Sequence, residues 1–148
     1  MRSSFLRWFA FCLLLSTGAF ARAQYVAGDY GSWSTGAWNT LSTWRVYDGV
    51  SWASSSTALA VPNANTRVWI RPGTTVTAAY GSMYHCAELF VEAGGKLYNN
   101  NTGATNLSYV YVYGVAPTYT GQIVINGEIG NGATLDGISL TIEGANII

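Results

Sequence analysis

The chain has 148 residues, and its seven Lys and Arg balance seven Asp and Glu, so that 9% of residues are charged while 14% are aromatic. That length fits one domain, the aromatic and β-branched content excludes a disordered chain, and the absence of a basic stripe or polybasic cluster excludes nucleic acid and an anionic membrane surface as partners. Few charges, with abundant Gly, Ser, Thr, Asn, Tyr and Trp, suit an extracellular all-β protein.

Residues 1–23 carry the three parts of a secretory signal. Arg2 and Arg7 form the basic region, Trp8 to Leu15 an apolar run too short to span a bilayer comfortably, and Ala21-Arg22-Ala23 the cleavage site. Cleavage leaves Gln24 first and no membrane span. Four cations (Arg45, Arg67, Arg71, Lys96) then face seven carboxylates, a formal charge near −3. Only Cys86 survives, so no internal disulfide is expected. Beside it stands His85, the sole histidine. Nothing completes a zinc shell around the pair, and the expectation is a corner with a half-buried thiol, with neither metal nor cofactor.

Residues 24–66 are rich in tryptophan. The run Tyr30-Gly31-Ser32-Trp33-Ser34-Thr35-Gly36-Ala37-Trp38 alternates turn formers with indoles. Thr43 to Tyr47 reads as a strand, Asp48-Gly49 as a hairpin turn, and Val50-Ser51-Trp52 as the return. Ser54 to Ala60 reads as a loop and Pro62-Asn63-Ala64-Asn65 as a turn. Trp33, Trp38, Trp44 and Trp52 would bury a large area, either as a cap over the open end of the periodic region beyond Thr66 or as an exposed platform.

From Thr66 the chain is periodic. Val68, Leu89 and Val110 are spaced by 21 residues, as are Ile70, Val91 and Val112, and these apolar positions alternate with outward ones. The outward columns are Trp69, Phe90 and Tyr111, then Arg71, Glu92 and Tyr113. Gly73 matches Gly94, and Val76 matches Leu97. Each unit is a strand, a glycine corner and a second strand. This order survives in a chain that coils over itself but not in a meander. The odd period requires corners that correct the alternation, a task for Gly73, Gly94 and Gly95. Coils would stack about 4.8 Å apart, setting Arg71 over Glu92 as an opposite-charge pair.

Asn99 to Gly103 reads as a loop and Gly114 to Gly121 as an insertion. Gln122 to Ile129 gives two short strands around Asn126-Gly127, as a hairpin or as another corner. Leu140-Thr141-Ile142-Glu143-Gly144 restates Leu89-Phe90-Val91-Glu92-Ala93. The chain stops at Ile148 in an apolar strand, which invites end-to-end self-association. It therefore reads as part of a longer protein or as one covered by another chain. The fold expected is a right-handed parallel β-solenoid (β-helix) over residues 67–148 behind the aromatic cap of residues 24–66.

The tryptophan spacing at 30–52, followed by Val68-Trp69-Ile70-Arg71-Pro72-Gly73-Thr74-Thr75-Val76-Thr77, resembles the N-terminal region of large secreted bacterial β-helix surface proteins, many of them similar to type IX secretion substrates. The resemblance covers about residues 30–98, with a looser match from Gly121 to Gly144. It implies an extracellular module in an adhesion or matrix role and supplies no catalytic residue. No sorting domain of that family is present in the sequence.

Catalysis on polysaccharide would need clustered carboxylates, or carboxylates on calcium, with a nearby cation. Glu88 and Glu92 lie about 13 Å apart on an extended chain, and no D-x-D repeat or G-x-S-x-G occurs, so a non-enzyme is expected. Carbohydrate binding is the functional rival. Trp69, Phe90 and Tyr111 would present a flat outward strip to a polysaccharide or cell-surface glycan, unless they simply stack as a ladder.

Overall fold

The computed structural model describes residues 24–52, 58–100, 107–114, 119–130 and 137–143. The proposed signal, Ser54 to Thr57 of the expected loop, Asn101 to Gly103 and the final apolar strand lie outside them.

The described chain is all-β, apart from one 3-10 turn at Leu41–Thr43. In order the strands are β1 (Tyr30–Ser32), β2 (Gly36–Ala37), β3 (Trp44–Val46), β4 (Arg67–Ile70), β5 (Thr75–Ala78), β6 (Met83–Cys86), β7 (Glu88–Val91), β8 (Lys96–Asn99), β9 (Ser108–Tyr113), β10 (Ile123–Ile125), β11 (Glu128–Gly130) and β12 (Ile138–Glu143). They form three sheets. The first has the order β10-β7-β4-β1-β3, the second β11-β8-β5-β2 and the third β12-β9-β6. From β4 onward the chain visits first, second and third sheet in turn, three times. Every neighbour pair is parallel except β1 with β3, which is antiparallel.

The 21-residue period holds between β4 and β7, where Val68 pairs with Leu89 and Ile70 with Val91, and between β5 and β8, where Val76 pairs with Leu97. It does not extend to Val110 and Val112. Those lie on β9 in the third sheet, against Tyr84 and Cys86 of β6 and Leu140 and Ile142 of β12. The third member of the first-sheet column is β10, with Ile123 on Leu89 and Ile125 on Val91. An inward Val-x-Val is equally at home on any face, so periodicity alone misassigned it. For the same reason Leu140 to Glu143 belongs to the third sheet and does not restate the position of Leu89 to Glu92.

Two corners follow expectation. Gly73 and Gly94 take φ of +77° and +83°, and the Gly73 amide donates to the Gly94 carbonyl at 2.9 Å. Asn126-Gly127 turns a corner between two sheets and is not a hairpin, since β10 and β11 pair with β7 and β8 respectively. A Cβ on Gly127 would sit 2.3 Å from the Glu92 carbonyl, and one on Gly95 2.3 Å from that of Ile70. Corner backbone there rests on corner backbone, and only glycine fits.

Inward residues of the three sheets make one core, containing Val68, Ile70, Val76, Cys86, Leu89, Val91, Leu97, Val110 and Val112. Trp38 and Trp44 join it fully buried, with ring centroids 5.3 Å apart in an edge-on arrangement, and the Trp44 indole donates to the Trp38 carbonyl at 2.7 Å. The tryptophan segment is thus more than a cap. Its β1 and β2 pair in parallel with β4 and β5 as the beginning of the same arrangement, and β3 then reverses along β1. Asp48 and Gly49 do make a turn, with the Asp48 carboxylate accepting from the Val50 and Ser51 amides at 2.7 Å. Among the described residues no return strand pairs with β3 there, because Trp52 packs on the outside of the first sheet.

Candidate ligand-contact surfaces

Outward residues of the first sheet form rows that run across the strands. In the first row Arg67 lies between two carboxylates, Asp29 at 3.6 Å and Glu88 at 3.0 Å, all three largely buried. Asp29 also accepts from the Val26 amide at 2.9 Å and the Trp69 indole at 2.8 Å. Glu88 accepts from the amide and hydroxyl of Thr120, both at 3.1 Å. Burial pushes the Asp29 carboxyl above the usual range, while the Val26 amide, Arg67 and the Trp69 indole pull it down. In a buried ion group of this kind the cost of desolvating the charges offsets much of their attraction.

The second row is aromatic. Trp69 and Phe90 stack with centroids 3.9 Å apart and planes at 10°. They point outward as alternation requires, yet are only 3% and 2% exposed. Tyr25, Tyr47 and Trp52 cover them, Tyr25 standing edge-on to Trp69 at 4.7 Å. The next strand in this row brings Val124, not Tyr111. The expected strip of Trp69, Phe90 and Tyr111 therefore does not exist. Two of its members are covered, and the third lies on another sheet.

In the third row the expected Arg71–Glu92 contact runs through a hydroxyl. Tyr25 donates to Glu92 at 2.6 Å and also bonds Arg71. Burial, followed by the Glu92 hydrogen bond and charge, pushes the Tyr25 hydroxyl up to about 12. The Arg71 guanidinium lies over Trp52 at 5.1 Å and Trp33 at 5.7 Å. Tyr113, the expected third member of this column, is on β9 against Glu143. Next to Arg71 is an open groove of about 480 Å³.

The third sheet carries a different outer face. Tyr109, Tyr111 and Tyr113 follow one another on β9 with centroids 6.4 Å apart, and His85 of β6 stacks beside Tyr111 at 5.6 Å and Tyr113 at 5.5 Å. All four are half-exposed. Cys86 is in a strand, not a corner, and its thiol is fully buried rather than half-buried. Adjacent strand residues point to opposite faces, so His85 and Cys86 do not form a pair. Burial, with the Glu88 charge second, pushes the Cys86 thiol well up.

The six described carboxylates all have partners. Beyond those above, Glu128 bonds Lys96 at 3.1 Å and Tyr98, and Glu143 bonds Tyr113. Asp136 lies outside the described residues. No group of three or more His, Cys, Asp or Glu suited to a metal ion occurs among the described residues. The Arg67 ion group escaped sequence reasoning although its signal was present, since Arg67 and Glu88 stand at the same spacing of 21 as Val68 and Leu89. Compared with protein families, curated proteins and solved structures, the chain matches none.

Proposed function

We propose that this chain is a right-handed parallel β-solenoid with an aromatic N-terminal cap, acting as a non-catalytic structural or adhesion module of a secreted bacterial surface protein. One observation carries the reading. The chain visits three sheets in a fixed order three times, with parallel, in-register pairing throughout β4 to β12. Such an arrangement passes its core from coil to coil and suits a stalk. The signal-like residues 1–23 and the tryptophan spacing support the extracellular, bacterial part. Incubating the purified chain with a panel of bacterial and plant polysaccharides tests it. Product chains should not accumulate, and release of reducing ends or unsaturated sugars would overturn the non-catalytic reading. Fractionation of cells expressing the chain should find it outside or on the surface.

Carbohydrate binding is the second reading, favoured by the open tyrosine face rather than by Trp69 and Phe90. Successive rings 6.4 Å apart along β9 give a row suited to an extended polysaccharide. Retention on insoluble polysaccharide that falls on Tyr111→Ala, with the fold intact, would support it.

A further inference from the structure

The outer face of the first sheet repeats one motif, and the second copy is incomplete. Asp29, Arg67 and Glu88 form an acid–guanidinium–acid row. Four residues further along the chain in each case, just past the ends of β1, β4 and β7, stand Trp33, Arg71 and Glu92. Arg71 has the counterpart of Glu88 in Glu92, joined through the Tyr25 hydroxyl. Where the counterpart of Asp29 would be, it has Trp33 and the groove of about 480 Å³, walled also by Tyr25, Tyr47, Ser51 and Trp52.

We infer that this groove binds an acidic saccharide, whose carboxylate takes beside Arg71 the position that Asp29 holds beside Arg67. A guanidinium favours a carboxylate through paired, charge-assisted hydrogen bonds. The aromatic walls, with Trp33 46% exposed, suit the apolar face of a sugar ring. Two buried nitrogens in the wall, Arg71 Nε and Trp52 Nε1, have no hydrogen-bond acceptor among the described residues. Both are donors only, and Glu92 Oε2 in the same row is an acceptor without a donor, so the row carries unmet demand of both kinds, which a carboxylate and a sugar hydroxyl together can answer. Arg45 stands 5.5 Å from the same Trp33 ring. The seat is preformed. A Cβ on Gly31 would lie 2.7 Å from the Trp52 ring and 2.8 Å from Arg71 Cδ, so both side chains rest on bare backbone. A neutral sugar would cover Arg71 without answering its charge, which gives discrimination.

Calorimetric titration of the purified chain with oligouronides, neutral oligosaccharides of equal length and linkage, and acetate tests this inference, with tryptophan emission followed in parallel. Oligouronides should bind, shift the emission and lose affinity with salt, while neutral chains and acetate bind at least about tenfold more weakly. Arg71→Gln should reduce the oligouronide to the neutral level. Trp33→Glu, at an exposed position, completes the acidic row from within and should abolish oligouronide binding with the circular dichroism unchanged. Should Arg71→Gln unfold the chain, the Trp33→Glu result decides. Equal binding of neutral chains or acetate, no binding of oligouronides, or oligouronide binding unaffected by Trp33→Glu would overturn the inference.

Discussion

The first and third sheets both present aromatic rings on their outer faces, and the two faces have opposite fates. On the first sheet Trp69 and Phe90 stack tightly beneath Tyr25, Tyr47 and Trp52, which come from the segment before β1 and from the turn after β3. On the third sheet Tyr109, Tyr111, Tyr113 and His85 remain half-exposed. Alternation along a strand decides which side of the sheet a ring occupies. It does not decide whether something else covers that side. Outward and solvent-facing are therefore separate properties, and the first sheet has in effect two cores, one inside the three-sheet arrangement and one on its outer surface.

That contrast can be broken, most drastically by removing the parts that hold the covered face together. Trp69→Ala should cost about 3–5 kcal/mol in urea unfolding, because a buried ring and its bond to Asp29 are both lost. Tyr111→Ala on the open face should cost only about 1 kcal/mol, and equal losses would erase the distinction. Arg67→Met leaves Asp29 and Glu88 buried without their cation and should cost about 3–5 kcal/mol, seen as a lowered unfolding midpoint. Gly31→Ala has a smaller effect, about 1–3 kcal/mol by overpacking. It pushes Trp52 off the sheet, so tryptophan emission should shift to the red, and the covered face comes to resemble the open one.

The mildest test is a titration. Tyr25 holds its proton to about 12 in the folded chain against 10.0 when unperturbed. A group with a raised folded pKa adds stability that is complete below its unfolded value and lost as pH rises through its folded one. Tyr25→Phe should therefore remove a late tyrosinate step near about 12 from the absorbance titration, and should reduce the loss of stability between about pH 10 and 12. An unchanged late step would assign it to another tyrosine.

Much of the fold was legible where chain spacing and structure coincide. Between β4 and β7, and between β5 and β8, the same 21 residues separate sequence neighbours and spatial neighbours. The match fails where connections lengthen. From β7 to β10 the register advances from Leu89 to Ile123, and from β6 to β9 from Met83 to Tyr109. Tyr111 falls 21 residues after Phe90 but lies over His85. The strand β6 was missed altogether, although Tyr84 and Cys86 are buried in alternation with the less buried Met83 and His85. It is only four residues long and contains the His85-Cys86 dipeptide, which drew a chemical reading instead of a structural one. The groove at Arg71 was illegible for a different reason. Its walls come from residues as distant as Tyr25, Trp52 and Arg71, with no shared period to announce them.

Gly114 and Gly121 pinch the chain together between the third sheet and the first. A Cβ on Gly121 would fall 2.8 Å from the Gly114 amide nitrogen, and Gly121 has φ +72°. The chain thus leaves the third sheet and reaches the first at nearly one point. Loop length enters stability only logarithmically, at about 0.6 kcal/mol per doubling. This is a natural port for inserted sequence, where a tag, an epitope or a whole domain should be accepted with the strands on either side undisturbed. It also offers evolution a position at which to vary what the surface displays while leaving the scaffold constant.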